Sequence, residues 1–113
     1  MEVQVFGVKK SAETRSALRF FAERRVRVHF VDWVVRGPSK GELTRFVQKF
    51  GVDALIDRSS KRFLELGWGV ARYSDQTWLD KLVEEPFVLK LPLVRYHQHL
   101  TVGAAEPIWK TWS

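Results

Sequence analysis

The chain has 113 residues, of which 45% are hydrophobic and 13% are aromatic. This length and composition predict one folded domain with its own core, and they exclude a disordered tail. The formal net charge of +6 favours anionic partners such as nucleic acid, phosphorylated metabolites or acidic proteins, although the same charge also fits solubility alone. Because no residue is cysteine, the chain can perform no thiol chemistry of its own.

Neither a membrane anchor nor a signal peptide is predicted. No apolar run approaches the roughly 20 residues that a membrane-spanning helix needs. The N-terminal residues 1–5 lack the basic region and the long apolar region of a signal peptide. We therefore expect a cytoplasmic protein that has no membrane partner.

The first third of the chain predicts a β-α-β unit. Residues 2–6 alternate apolar and polar side chains, which is typical of a strand, and residues 26–31 do so again. Between them, residues 12–24 carry apolar side chains at helical spacing, and Ser11 stands where an N-cap is expected. Two strands joined by one helix in this way should run parallel.

A block of helices is predicted to follow. Ser39 and Glu42 have the spacing of a capping box, and Gly51 marks the end of the helix that this box begins. That helix carries an apolar stripe that should be buried, formed by Leu43, Phe46, Val47 and Phe50. Two more short helices are predicted at residues 59–66 and 76–84.

The C-terminal part predicts a hairpin and a closing helix. Residues 87–89 begin a third strand, which Pro92 interrupts, and residues 99–102 form a fourth strand paired with it. Residues 106–112 should form a short helix. The complete order predicts an α/β fold, with a four-stranded mixed sheet and a helical insertion at about residues 38–85.

Four segments along the chain have the order and spacing of one known family. They are FGVKKS (6–11), FVDW (30–33), ALIDR (54–58) and EPFVLKLPLV (85–94). Through them the chain resembles the arsenate reductase and Spx family, the glutaredoxin-like group also called ArsC-like. This resemblance implies a thioredoxin-like fold in a single domain over residues 1–113. It also implies a cis peptide bond before Pro92.

The chain departs from the family pattern at two positions. The resemblance implies a catalytic cysteine at position 11 and an arginine just before the cis-proline, but Ser11 and Leu91 stand there. A serine cannot form a mixed disulfide with glutathione, and as a nucleophile it needs a nearby general base. We therefore interpret Ser11 as a helix cap, with a residual small-anion site or a nucleophilic serine as alternatives, and we expect no catalytic residue.

The implied oxyanion pocket keeps several basic residues beside the helix N-terminus. The residues expected to bind an anion are Lys9, Lys10, Ser11, Arg15, Arg58 and Lys90. Arg58 and Lys90 fit a solvated charged face equally well. His97 and His99 have a spacing that some metal sites use, but no third ligand is evident, so neither a metal nor another cofactor is expected.

The resulting hypothesis is an ArsC- and Spx-family protein that lacks the redox cysteine and acts by binding a protein partner or a small anion. The alternatives are an arsenate reductase-like oxidoreductase and an Spx-like regulator that binds RNA polymerase. No recognition helix or zinc pattern predicts specific DNA readout. The sequence leaves the oligomeric state open.

Overall fold

The computed structural model describes residues 1–112, which form two compact units. The first unit contains Met1–Arg36 together with the described residues from Leu91 onward, and the second contains Gly37–Lys90. Within residues 1–112, no helix is both long enough and apolar enough to cross a membrane.

The first unit is built on a four-stranded mixed sheet with the strand order β2-β1-β3-β4. The strands are β1 (Glu2–Gly7), β2 (Arg27–Asp32), β3 (Leu93–Tyr96) and β4 (His99–Val102). β1 runs parallel to β2, whereas β3 is antiparallel to both β1 and β4. The predicted mixed sheet and parallel β-α-β unit are confirmed.

Two helical segments pack on this sheet. They are α1 (Ala12–Glu23) and, near the C-terminus, α6 (Glu106–Trp109), which continues as a 3-10 turn over Lys110–Trp112. α1 buries Ala17 and Phe21, and the Phe21 ring centroid lies 5.0 Å from that of Trp109. The Trp109 indole N–H donates to Thr101 Oγ1 at 2.8 Å, so this buried donor is satisfied.

The second unit is helical. Its helices are α2 (Lys40–Phe50), α3 (Val52–Leu55), α4 (Lys61–Leu66) and α5 (Asp75–Glu84), with 3-10 turns at Trp68–Val70 and Pro86–Val88. The predicted capping box is present, because Ser39 Oγ accepts from the Glu42 N–H at 3.1 Å and Glu42 Oε1 accepts from the Ser39 N–H at 3.0 Å. The short helix α3 was not predicted from the sequence.

Two details of the sequence prediction are wrong. Residues 87–89 do not begin the third strand, which starts at Leu93. The N–H groups of Val88 and Leu89 instead donate to the carbonyls of Glu85 and Pro86, so a local 3-10 turn uses these donors. Phe50 is the last residue of α2 and is 37% exposed, so the buried part of the apolar stripe ends before it.

Candidate functional site

The loop between β1 and α1, residues 8–11, ends in a capped helix N-terminus. Ser11 has an extended backbone, and its carbonyl accepts from the Arg15 N–H at 3.1 Å. Its side-chain Oγ accepts from the Thr14 N–H at 3.1 Å. Ser11 is therefore the N-cap of α1, as predicted.

Arg15 fastens this loop to the first turn of α1. Its Nη1 donates to the carbonyl oxygen of Lys9 at 2.7 Å and to that of Lys10 at 3.0 Å. All three side chains are exposed. The guanidinium thus fixes the loop backbone while its charge, together with two lysine ammonium groups, remains accessible to solvent.

Glu13 is a site residue that the sequence analysis missed. Its Oε2 lies 3.4 Å from Ser11 Oγ, which is long for a hydrogen bond donated by a hydroxyl. A carboxylate in the first turn is stabilised by the partial positive charge of the helix N-terminus. The same carboxylate repels any second anion that approaches this end of α1. The acidic residue two positions after the predicted cap was the available signal.

Gly7, at the end of β1, and Thr14, in the first turn of α1, lie on either side of the loop in sequence and approach each other closely. A Cβ atom at position 7 would lie 2.6 Å from Thr14 Oγ1 and 2.9 Å from Thr14 Cγ2, so only glycine permits this approach. The Gly7 carbonyl also accepts from the Trp33 N–H at 2.9 Å. Thr14 is fully buried, and its Oγ1 has no hydrogen-bond partner within residues 1–112. The end of β1 and the first turn of α1 are therefore held at close range.

Leu91 and Pro92 belong to the same unit as the loop. The peptide bond between them is cis, and the Pro92 carbonyl accepts from the Gly103 N–H at 2.8 Å. Leu91 is only 8% exposed. An apolar side chain therefore occupies the position where the family resemblance implies a cationic one.

Two of the predicted anion ligands, Arg58 and Lys90, lie in the second unit. Arg58 Nη2 forms an ion pair with Asp53 Oδ1 at 3.1 Å, and its Cζ lies 5.5 Å from the centroid of the Phe63 ring. The Lys90 side chain is exposed. The structure thus places Arg15, in the first turn of α1, beside Lys9, Lys10 and Ser11 of the β1–α1 loop. The participation of Arg58 and Lys90 stays a prediction.

The two histidines, whose spacing is one that some metal sites use, do not lie on the same strand. His97 occupies the hairpin turn with φ = 53°, whereas His99 is the first residue of β4. Their ring centroids lie 4.4 Å and 6.2 Å from that of Tyr96, so both imidazoles contact the same aromatic ring. Across the described part of the chain, no three histidine, aspartate or glutamate side chains are grouped so that they could hold a metal ion.

Comparison with known sequences identifies a family pattern over almost the whole chain. Residues 6–111 match the model of the ArsC family. An uncharacterized protein of Haemophilus influenzae is 27% identical over 105 residues, which cover 92% of this chain and 92% of that protein.

Comparison with solved structures gives the same picture for the fold. A protein named YffB superposes with a TM-score of 0.89 at 18% identity, and the match covers 96% of each chain. An arsenate reductase from Vibrio cholerae superposes with a TM-score of 0.83 at 22% identity and covers 97% of each chain. These likenesses show the thioredoxin-like fold that the sequence predicted.

Proposed function

The chain belongs to the ArsC family, and we propose that this member binds an oxyanion at its β1–α1 loop without reducing it. The observation that carries the proposal is the role of Ser11. In a chain without cysteine, the residue in the position of the implied catalytic thiol serves as the N-cap of α1.

Thiol-dependent reduction of an oxyanion requires a sulfur atom that is oxidised and then reduced again. The Ser11 hydroxyl cannot form a disulfide and therefore cannot complete such a cycle. As a nucleophile it would need a general base within hydrogen-bond reach, about 2.6–3.2 Å away. The carboxylate of Glu13 lies 3.4 Å from Ser11 Oγ, which is beyond that reach. Ser11 Oγ itself already accepts a hydrogen bond from the Thr14 N–H. These contacts favour capping over catalysis.

Binding of an oxyanion needs no thiol. The geometry of an α-helix leaves the N–H groups of Ala12 and Glu13 without acceptors inside the helix, and the helix dipole favours negative charge there. The side chains of Lys9, Lys10 and Arg15 add three positive charges around these donors. Because Glu13 opposes an incoming anion, we expect weak binding of phosphate or arsenate.

The same proposal includes a cytoplasmic location. A phosphate group carried by a protein partner would meet the same donors as a free anion. The loop therefore suits either form of this ligand.

A coupled assay of arsenate reduction tests the proposal. NADPH oxidation is followed with arsenate and either glutathione with glutaredoxin or the thioredoxin system, and an authentic arsenate reductase provides the positive control. We expect the purified protein to give the same rate as the reaction without it. Turnover above this background that persists on further purification and is lost in the Ser11→Ala variant would contradict the proposal.

A further inference from the structure

A cleft of about 470 Å³ opens within the second unit. It lies where the end of α2, the start of α3 and the segment that leads into α5 come together, and all of its lining residues fall between positions 50 and 78. This volume is within the range of about 300–1,000 Å³ that is usual for small-molecule sites. No residue of the β1–α1 loop lines it.

Aromatic side chains line this cleft and remain accessible. Phe50 is 37% exposed and Tyr73 is 38% exposed, which is high for rings of this size. Tyr73 is nevertheless held in place, because Trp78 meets it edge-on at 5.0 Å between centroids and Lys81 Nζ lies 4.6 Å from its centroid. Fixed, accessible rings are suited to stacking against another planar ring.

Positive charge surrounds these rings. Lys49 Nζ lies 5.6 Å from the Phe50 ring centroid, and Lys81 Nζ lies over the Tyr73 ring, 4.6 Å from its centroid. Arg58 and Arg72 line the cleft itself. Arg58 is already paired with Asp53 at 3.1 Å, whereas Arg72 forms no ion pair within the described residues. A planar guanidinium without a partner is a suitable donor to a phosphate group.

Two carboxylates complete the lining, from Asp53 and Asp75. An ionised carboxylate only accepts hydrogen bonds, so a ligand that fits these groups must also offer donors. A planar ring, hydroxyl donors and an anionic group occur together in a nucleotide, as the base, the ribose and the phosphate.

We propose that this cleft binds a nucleoside monophosphate. The base stacks on Phe50 and Tyr73, the phosphate accepts hydrogen bonds from Arg72, and the ribose hydroxyls donate to the aspartate carboxylates. No residue of the β1–α1 loop lines this cleft, so the nucleotide proposal and the oxyanion proposal can be tested separately.

Calorimetric titration of the full chain with adenosine 5′-monophosphate tests the proposal, with adenosine and inorganic phosphate as separate probes. We expect saturable binding of the nucleotide. Adenosine and inorganic phosphate should each bind at least about tenfold more weakly than the nucleotide, because the ring and the phosphate both contribute to its affinity. The Arg72→Gln variant should weaken nucleotide binding by about tenfold and leave adenosine binding unchanged. The Tyr73→Leu variant should weaken both.

The matched control is Arg45→Gln, which removes an exposed arginine that does not line the cleft. It should bind the nucleotide as the wild type does. Amide shifts on titration should fall on residues 50–53 and 71–78. The proposal is overturned if the nucleotide shows no saturable binding below about 1 mM. It is also overturned if Arg72→Gln binds the nucleotide like the wild type, or if the shifts are confined to residues 9–15.

Discussion

The side-chain oxygen of Ser11 accepts a hydrogen bond from the backbone N–H of Thr14 at 3.1 Å. This bond satisfies one of the N–H groups that begin α1 without an acceptor inside the helix. The residue that stands in the position of the implied catalytic cysteine thus has a structural role of its own.

Loss of this cap should destabilise the fold measurably. The Ser11→Ala variant should lose about 1 kcal/mol of unfolding free energy, since alanine offers the Thr14 N–H no acceptor. Urea unfolding followed by circular dichroism measures the change. The Ser11→Asn variant keeps a capping oxygen and should remain near the wild type. An alanine variant as stable as the wild type would show that the cap contributes nothing.

A thiol introduced by the Ser11→Cys substitution should be reactive without making the protein a reductase. The helix N-terminus stabilises a thiolate, so alkylation by iodoacetamide should be faster than in the Ser16→Cys control, whose thiol would lie within α1. Arsenate reduction should nevertheless stay near background, because Leu91 supplies no positive charge for the oxyanion. High turnover in the Ser11→Cys variant would show that position 91 is unimportant.

Because Gly7 lies so close to Thr14, we expect a substitution at one position to change how much a substitution at the other destabilises the fold. The Gly7→Ala variant should lose about 1–3 kcal/mol of unfolding free energy, because its Cβ would overlap a β-branched side chain that has little freedom to move. The Thr14→Ala substitution makes room for that atom. A double-mutant cycle should therefore give a coupling of about 0.5–3 kcal/mol. Strictly additive changes would mean that the two residues are not in contact.

In the second unit, the ion pair between Arg62 and Glu85 predicts a pH dependence of stability. Arg62 donates to both carboxylate oxygens of Glu85, at 2.9 Å and 2.8 Å. These hydrogen bonds lower the pKa of Glu85 below its ordinary value, although partial burial opposes the shift. The stabilisation is therefore complete above the ordinary glutamate pKa of about 4.3 and is lost as the pH falls through the lowered value.

The Glu85→Gln variant should be less stable than the wild type at pH 7, and the difference should shrink in acid. Chemical unfolding at a series of pH values measures this difference. The Glu84→Gln variant, at the exposed neighbouring position, is the control and should change little. A gap between Glu85→Gln and the wild type that stays constant down to about pH 2 would contradict the assignment.

Features that depend on neighbours in sequence could be predicted. The cap at Ser11 and the box formed by Ser39 and Glu42 each join residues three apart, so spacing alone reveals them. The start of β3 could not be predicted, because the apolar run before Pro92 looks like a strand. Whether that run joins the sheet depends on where its N–H groups donate. Those of Val88 and Leu89 donate within a turn, and that of Lys90 donates to the Leu55 carbonyl at 2.8 Å.

For the candidate site, the sequence predicted which residues take part but not which partners their side chains contact. The sequence and the family resemblance selected Lys9, Lys10, Ser11 and Arg15. The first three lie in the β1–α1 loop, and Arg15 lies in the first turn of α1. They did not reveal that the Arg15 guanidinium binds the loop carbonyls, or that Asp53 neutralises Arg58. Such pairings depend on side-chain conformations that several neighbouring backbones determine together.

The central claim, that the β1–α1 loop binds an oxyanion, is tested most directly by following backbone amide shifts while phosphate is added. We predict that the shifts cluster at residues 9–15. The Glu13→Gln variant should bind phosphate about two- to fivefold more tightly, since it removes an opposing charge at the helix N-terminus. Shifts scattered over the surface, or an affinity that the Glu13→Gln substitution leaves unchanged, would contradict the claim.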